Sequence, residues 1–229
     1  MIDAPEDNVW EDIFSSRPWG QYPNEELVSF VGRSLRSKSL RKLGNVVEIG
    51  CGPGANLWFL GRVSEEILGV DFSKTALTQA ESLYGLMNSH RRIEAPKLVT
   101  LHADISNLVG RGSNFDYVFD VLATTHNSLE KMRQILKDVH TMLATDGTYW
   151  GKFWGIGCPG FADSERLGPY TRKNILEGPC QGVGITTFID KALASELFSD
   201  FQSVNITRTV VEDGNENRLL ETYVVIATK

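Results

Sequence analysis

The stretch Val46-Val47-Glu48-Ile49-Gly50-Cys51-Gly52-Pro53-Gly54 decides the fold of this chain. A short apolar run breaks into three glycines at alternate positions, and a helical pattern of leucines follows directly. Glycine allows a sharp turn and lets a ligand approach the backbone without a Cβ in the way. The start of the next helix offers N–H groups that lack helical partners. A strand, a glycine turn and a helix in this order predict a nucleotide-binding pocket.

Length and composition indicate an ordinary globular protein. The chain has 229 residues, of which 41% are hydrophobic and 23% charged, enough for one sizeable domain with its own core. The formal net charge is −6 and the pI is about 5.3, which argues against a large basic surface. We therefore expect a small-molecule substrate and no nucleic-acid partner.

The cysteines and the N-terminus bear on the compartment. Cys51, Cys158 and Cys180 form no CxxC pair, which fits a reducing cytoplasm better than a disulfide scaffold. The acidic N-terminus has no signal-peptide pattern, and no apolar run approaches the roughly 20 residues of a membrane helix. We expect a cytoplasmic protein without a membrane partner, and the sequence leaves a homodimer open.

Apolar periodicity alternates between strand and helix over the first two-thirds of the chain. This alternation predicts an α/β fold with a doubly wound parallel sheet. Two β-rich runs, Val204–Val211 and Leu219–Thr228, flank Asp213-Gly214-Asn215 and predict a C-terminal antiparallel hairpin. The predicted strands are about 45–49, 66–70, 98–102, 115–121 and 148–154, and the predicted helices are 24–35, 55–62, 74–84, 128–144 and 190–198, with a polar loop over 88–97.

One domain over residues 1–229 accommodates these elements in four parts. We predict an N-terminal aromatic cap and helix over 1–42 and a cofactor-binding α/β core over 43–154. A glycine-rich loop or lid over 155–186 faces the substrate, because so long a connection is usually functional. A helix and the hairpin occupy 187–229.

Acidic residues follow consecutive predicted strands. Asp71, Asp104 and Asp120 lie at or near the ends of the second, third and fourth strands, and Gly50–Gly54 follows the first. In doubly wound sheets, ligands bind at the carboxyl ends of the strands near the switch point. The sequence therefore predicts that these residues share one pocket.

Two adenosine ligands could use this pocket. Asp71 lies 17 residues beyond Gly54, where a carboxylate accepts hydrogen bonds from both ribose hydroxyls. Gly50, Gly52 and Ala55 fit the G-x-G-x-x-A fingerprint of dinucleotide-binding folds, although that match alone is weak.

Three other residues favour a cationic ligand without phosphate. Glu48 directs a negative charge toward the turn, which a pyrophosphate would avoid and a cation would attract. Pro53 removes one N–H group that phosphate binding would use. Asp104 suits the amino group of adenine, which is a donor. S-adenosylmethionine has all of these properties, and we predict it as the cofactor.

Four segments resemble the motifs of class I S-adenosylmethionine-dependent methyltransferases. Residues 46–54 resemble the first motif, E/D-x-G-x-G-x-G, and residues 69–73, 103–105 and 115–120 resemble the second, third and strand-4 motifs. The resemblance covers about residues 43–154 and implies a seven-stranded, mostly parallel sheet. It implies a cofactor site formed by Glu48, Gly50, Cys51, Gly52, Gly54, Asp71, Phe72, Asp104, Ile105, Asp120 and Val121.

The cofactor determines the chemistry that we expect. The methyl group is already activated, so the protein must hold a nucleophile in line with it, and an O or N nucleophile of a small or medium organic substrate has a proton to lose. His126, after strand 4, is the candidate base. The candidate substrate-binding residues are Trp10, Trp19, Tyr22, His126 and Trp154.

The sequence also argues against other methyltransferase classes and leaves two alternative functions. Strand 5 ends in Lys152-Phe153-Trp154 without a carboxylate cluster, so we expect no metal. Strand 4 lacks the N/D-P-P-Y/F motif of enzymes that methylate nucleic-acid amino groups. A non-catalytic adenosyl-binding protein and, less favoured, an NAD(P)-dependent reductase remain as alternatives, although no Y-x-x-x-K motif supports the second.

Overall fold

A computed structural model describes residues 9–89, 95–105, 114–213 and 218–229. The helices are α1 (Val9–Ser16), α2 (Glu25–Ser37), α3 (Leu57–Val63), α4 (Lys74–Asn88), α5 (Leu129–Met142) and α6 (Lys191–Leu197). The strands are β1 (Leu43–Ile49), β2 (Ser64–Asp71), β3 (Leu98–His102), β4 (Phe115–Val121), β5 (Leu143–Trp154), β6 (Glu165–Arg166), β7 (Thr171–Lys173), β8 (Thr186–Thr187), β9 (Ser203–Asp213) and β10 (Arg218–Thr228). Within these ranges, no helix combines the length and the apolar character that crossing a membrane requires.

The main sheet has seven strands in the order β3-β2-β1-β4-β5-β10-β9. The first five strands of the chain pair in parallel, and β10 pairs antiparallel with both β5 and β9. This confirms the predicted fold class and the closing hairpin. The predicted hairpin turn falls mainly on residues 214–217 and part of the predicted 88–97 loop on 90–94, and both stretches lie outside the described residues.

Side-chain caps determine where several helices begin. The side chains of Asn24, Ser73, Ser128 and Asp190 each accept a hydrogen bond from a backbone N–H three residues further on. Such a cap satisfies one donor that the first helical turn leaves unpaired and stabilises a helix by about 1 kcal/mol. The predicted starts of the helices over 24–35, 74–84 and 190–198 therefore agree with these caps to within one residue.

Helices cover both faces of the main sheet. Neighbouring strand residues point to opposite faces, so Val46 packs in the apolar cluster with α2, α3 and α4, whereas Val47 packs in the cluster with α5 and α6. Tyr149 and Trp150 divide in the same way. A sheet buried on both faces has apolar residues on both sides of its strands, as Val46 and Val47 of β1 show.

The strand after α5 differs from the prediction. It begins at Leu143, directly after the helix, rather than near 148, and the Asp146-Gly147 pair lies inside the strand. The register shifts there from Phe115–Leu143 to Tyr117–Thr148, and Asp146 has a φ of 63°. The turn signal therefore marks a bulge in β5 and not the connection that precedes it.

The segment 155–186 is more ordered than a loop. It contains β6 and β7 and, with β8, forms a separate antiparallel three-stranded sheet, which we call the small sheet. The segment contributes Cys158, Ile175, Cys180 and Val183 to a third apolar cluster, the cap cluster. Trp10 and Ile13 of α1 pack against the cap cluster, so α1 and the 155–186 segment form one cap at the carboxyl edge of the main sheet.

Candidate cofactor and active site

The glycine turn requires glycine for two reasons. Gly50, Gly52 and Gly54 have φ values of 61°, 50° and 83°, which side chains disfavour. A Cβ at Gly50 would lie 2.2 Å from the Cβ of Ala123, and one at Gly54 would lie 2.8 Å from the Cα of Ala80. The turn is therefore packed between α4 and the segment after β4, where a side chain at Gly50 or Gly54 would not fit.

The Asp71 side chain links the end of β2 to this turn through hydrogen bonds. Its Oδ2 accepts a hydrogen bond from the Gly52 N–H at 2.8 Å, and its Oδ1 accepts one from the Ser73 N–H at 2.9 Å. Burial raises the pKa of Asp71, and the backbone donors oppose that shift. The predicted ribose acceptor thus lies against the glycine turn, and each of its oxygens has a lone pair left for a ligand hydroxyl.

Glu48 is a buried carboxylate with one unpartnered oxygen. Its side chain is 1% exposed, and Oε1 accepts a hydrogen bond from Asn56 Nδ2 at 2.6 Å. Oε2 has no hydrogen-bond partner. Burial, with a smaller contribution from Asp120 and Asp71, raises the pKa of Glu48 to about 8. A buried polar atom without a partner is rare in folded proteins, and a cation bound at the turn would supply one.

Asn56 connects Glu48 to the N-terminal part of the chain. Its Oδ1 accepts a hydrogen bond from the backbone N–H of Asn24 at 2.8 Å, at the start of α2. The sequence analysis did not single out Asn56, although its place two residues after Gly54 was a usable signal. The beginning of α2 and the glycine turn are thus held together through one amide side chain.

The predicted cofactor-binding residues Phe72, Asp104 and Ile105 follow the ends of β2 and β3. Asp104 Oδ2 forms a salt bridge of 2.7 Å with Lys131 Nζ on α5. The half-buried Phe72 accepts a hydrogen bond on its carbonyl from His102 Nε2 at 2.7 Å, and Ile105 packs against the core. Since Lys131 already neutralises the Asp104 carboxylate, the role of Asp104 toward adenine stays a prediction.

Asp120 binds its own chain with both oxygens. Oδ1 accepts hydrogen bonds from the N–H groups of Ala123 at 3.0 Å and Thr124 at 3.1 Å, and Oδ2 accepts one from the Tyr149 hydroxyl at 2.9 Å. The side chain is fully buried. Asp120 therefore shapes the backbone after β4, and a direct contact of Asp120 or Val121 with the cofactor stays a prediction.

Cys51 has the environment of a packing residue. Its thiol is buried at 3.1 Å from the position that a Cβ on Gly69 would take, and burial raises its pKa far above the ordinary value. A thiol that stays protonated is a poor nucleophile. Its backbone N–H donates to Val70 O at 2.9 Å, which joins the turn to β2.

Helix α1 lies across the cofactor side of the site. Glu11 accepts hydrogen bonds from the hydroxyls of Ser73 and Thr75 and from the Thr75 N–H, and these hydrogen bonds lower its pKa. The Phe14 ring lies 3.5 Å from the position that a Cβ on Gly52 would take. Glu11 and Phe14 are three residues apart and share one face of the helix. Glu11 was not predicted as a site residue, although its spacing of three residues from Phe14 is visible in the sequence.

Three of the predicted substrate residues meet beside α1. The ring of Trp10 lies 4.9 Å from the ring of His126, and both Trp10 and Trp154 pack against the cap cluster. Trp19 contacts Trp10 at 6.1 Å and is 41% exposed. The structure does not bring Tyr22 to this group, because its side chain is 83% exposed.

His126 joins the end of β4 to the small sheet. Its Nδ1 lies 3.2 Å from the Thr186 hydroxyl, and burial lowers its pKa to about 3. The neighbouring Thr125 hydroxyl donates to Thr187 O at 2.7 Å, and the Thr187 hydroxyl donates to Asn127 O at 2.7 Å. These contacts fix the imidazole at the boundary between the sheet and the cap. Over the described ranges, no three His, Cys, Asp or Glu side chains are grouped to hold a metal ion.

Replacing Phe14 tests whether α1 retains the cofactor. We expect Phe14→Ala to weaken binding of S-adenosylhomocysteine about tenfold through faster dissociation, because an aromatic contact contributes about 0.5–1.5 kcal/mol beyond its area. Stopped-flow tryptophan fluorescence measures the rate. Leu86→Ala, on an exposed part of α4, is the matched control. Equal dissociation rates for wild type and Phe14→Ala would remove α1 from cofactor retention.

Comparisons with known proteins agree with this geometry. Residues 46–147 match a family model described as a methyltransferase domain. The N-methyltransferase NodS from Bradyrhizobium japonicum WM9, bound to S-adenosyl-L-homocysteine, shares 15% identity with a TM-score of 0.66, and the match covers 97% of this chain and 99% of that one. The magnesium protoporphyrin IX methyltransferase ChlM from Synechocystis PCC 6803, also bound to S-adenosyl-L-homocysteine, shares 16% identity with a TM-score of 0.64, covering 97% and 93%. A search of curated proteins found no match.

The fold, the glycine turn and the family match define a class of enzyme. Residues 46–147 carry a methyltransferase domain, and the whole chain has the fold of S-adenosylmethionine-dependent methyltransferases of known structure. The residues present fit S-adenosylmethionine, because the buried Glu48 Oε2 has no hydrogen-bond partner and a cationic ligand would supply one. The domain match favours a methyltransferase over the reductase and the non-catalytic adenosyl-binding protein.

Proposed function

We propose that the enzyme transfers the methyl group by direct in-line displacement to an oxygen or nitrogen atom of a small or medium organic molecule. The observation that carries this proposal is the aromatic group at the carboxyl edge of the sheet. Trp10, His126 and Trp154 come from α1, the β4 end and β5, and the cap cluster packs around them. Apolar and aromatic side chains with a few polar groups are typical of small-molecule sites.

The residues of the chain divide between the two ligands. The glycine turn, Glu48 and Asp71 bind the cofactor, and the cap contacts the methyl acceptor. S-adenosylmethionine, when bound, supplies a methyl group that its positive sulfur already activates. The protein then contributes by orienting the acceptor and excluding water, effects that can account for much of the rate. Helix α1 contacts both sides, since Phe14 lies on Gly52 and Trp10 on His126.

We assign His126 the role of proton acceptor. The imidazole is unprotonated at physiological pH, so a ring nitrogen can accept a proton, and because the pKa is low the ring passes that proton on to solvent and does not retain it. Nδ1 faces Thr186, and Nε2 makes no hydrogen bond to a described residue. The Nε2 atom is therefore the one that would receive the proton from a hydroxyl or amine acceptor.

An acceptor panel tests the proposed function. Purified protein is incubated with methyl-labelled S-adenosylmethionine and with matched phenols, anilines, alkylamines and carboxylic acids, and mass spectrometry detects methylated products. We expect turnover of at least one oxygen or nitrogen acceptor. Methylation confined to carbon or sulfur acceptors, or to macromolecules offered in parallel, would overturn the proposal while leaving the methyltransferase class intact.

The pH–rate profile of His126→Gln tests the role of the imidazole. We expect kcat to fall about 100-fold or more, the usual scale of general-base catalysis, and KM to change little. Because the pKa of His126 is about 3, wild-type kcat should show no loss between pH 7 and pH 5 from this group. Wild-type turnover in the variant would mean that His126 is a packing residue.

A further inference from the structure

Two arginines face each other in the small sheet. Arg166 on β6 is the register partner of Arg172 on β7. Directly opposed residues of an antiparallel pair share one face, with Cβ atoms about 4.5–5.5 Å apart, and like charges in that position are destabilising. An anion bound between the two side chains would relieve this repulsion.

The guanidinium of Arg172 is buried without a carboxylate. The residue is 2% exposed, and its guanidinium carbon lies 3.8 Å over the ring of Phe161. Within the described part of the chain, no Asp or Glu forms a salt bridge with Arg172. Burial, followed by the charge of Arg166, lowers its pKa. Buried charges are normally paired with an opposite charge, and among the described residues Arg172 has no such partner.

Only part of the guanidinium is used by the protein. Nε donates to Phe161 O at 2.7 Å, and Nη1 donates to Gly168 O at 2.9 Å and to Thr171 O at 3.0 Å. Nη2 donates no hydrogen bond to a described residue. The carbonyls hold the side chain in a fixed orientation, and Nη2 has no acceptor among the described residues.

The arginine pair lies on the acceptor side of the enzyme. Thr186 on β8 is the register partner of Arg172, so it is on the same face of the small sheet. The Thr186 hydroxyl is 3.2 Å from Nδ1 of the proposed base, His126. Phe161, beneath Arg172, packs against the same cap cluster as Trp10.

We propose that Arg172 and Arg166 bind an anionic oxygen group, a carboxylate or a phosphate, of the methyl acceptor. A planar guanidinium with preset orientation matches either group through charge-assisted hydrogen bonds. The inference rests on the proposed function and narrows its substrates to anionic molecules. Arg172 provides the fixed contact, and the exposed Arg166 adds a second positive charge on the same face.

Calorimetric titration of three probes into protein saturated with S-adenosylhomocysteine tests this site. Benzoate and phenyl phosphate present the two anionic groups, and benzamide presents a neutral group of similar shape. We expect at least one anion to bind tenfold or more tightly than benzamide, and the tighter of the two anions identifies the group. Equal binding of all three probes, or no binding by any of them, would overturn the proposal.

Variants of the two arginines test which residues produce the preference for anions. We expect Arg172→Gln to abolish it and Arg166→Gln to reduce it about threefold or more, as loss of one nearby charge predicts. Because Arg172 holds the carbonyls of the 155–186 segment, Arg166→Gln keeps the test valid if the first variant does not fold. Arg133→Gln, which removes an exposed arginine on α5, is the matched control and should bind like wild type. An undiminished preference in Arg166→Gln would overturn the arginine pair as the site.

The two proposals fail in different experiments. If the acceptor panel yields methylated neutral molecules and anionic ones are no better, the anion site is overturned and the proposed function stands. If no oxygen or nitrogen acceptor is methylated although benzoate binds with the predicted preference, the proposed function is overturned and the arginine site remains as a binding site.

Discussion

Affinity for S-adenosylmethionine should rise with pH and lose that dependence in Glu48→Gln. The pKa of Glu48 is raised to about 8 in the absence of the ligand, so below pH 8 the carboxyl carries a proton. A bound cation favours the ionised form, and binding then releases the proton. Linkage predicts an affinity increase of up to about tenfold per pH unit below that pKa. Calorimetry at pH 5.5, 6.5 and 7.5 measures it.

The variant isolates the contribution of Glu48 from that of the ligand. Gln keeps a hydrogen-bond acceptor for Asn56 but cannot ionise, so the affinity should become nearly independent of pH and fall at least tenfold at pH 7.5. Asp71 and Asp120 also have raised pKa values and remain in the variant, which makes them internal controls. Proton release can be read directly by repeating the titration in buffers of different ionisation enthalpy. Identical pH profiles for the two proteins would show that no cation meets Glu48.

Asp71→Asn should weaken binding of S-adenosylhomocysteine about 30-fold or more. The carboxylate accepts hydrogen bonds from the N–H groups of Gly52 and Ser73, and an amide would present a donor to one of them. Loss of a hydrogen bond to a charged group costs about 1.5–3 kcal/mol, and the ribose contact is lost as well. Calorimetric titration measures the affinity, and thermal unfolding measures the accompanying loss of stability.

Asp104→Asn is the matched control for Asp71. Asp104 also lies at the end of a strand, but its salt bridge with Lys131 is partly exposed and contributes little to stability. We expect it to weaken binding by less than Asp71→Asn and to leave the unfolding temperature nearly unchanged. If both variants lost the same amount of binding affinity, the hydrogen bond between Asp71 and the glycine turn would not explain the effect of Asp71→Asn.

The cofactor side of the enzyme was largely predictable from the sequence because its signals are local. The order strand, glycine turn and helix, the caps at Asn24 and Ser73 and the acid after β2 all follow from spacings of a few residues. The parallel sheet then brings strand ends together, so the contact between Asp71 and Gly52 follows from topology. Glu48 is the most informative residue, since a charge in an apolar strand needs a reason.

The acceptor side was less predictable because its contacts join distant parts of the chain. Trp10 meets His126, and His126 meets Thr186, although the sequence separations are 116 and 60 residues. The aromatic segment predicted a cap containing Trp10 and Tyr22, and of these rings Trp10 lies against His126 whereas Tyr22 is 83% exposed. The 155–186 segment was predicted as a glycine-rich loop, and the short strands in it carry almost no periodic signal.

The sequence alone determined the fold class and the glycine turn, and it favoured a cationic adenosine cofactor. Backbone conformation and strand order depend on local residue types, and the characteristic residues occur at fixed spacings in and after β1, β2 and β4. Only the tertiary structure decided that Glu48 keeps an unpartnered oxygen, that Glu11 bonds the start of α4 and that Phe14 reaches the glycine turn. It also decided that Arg166 and Arg172 share a face. Burial and cross-strand pairing are properties of the packed chain, because they depend on which distant segments exclude water from each group.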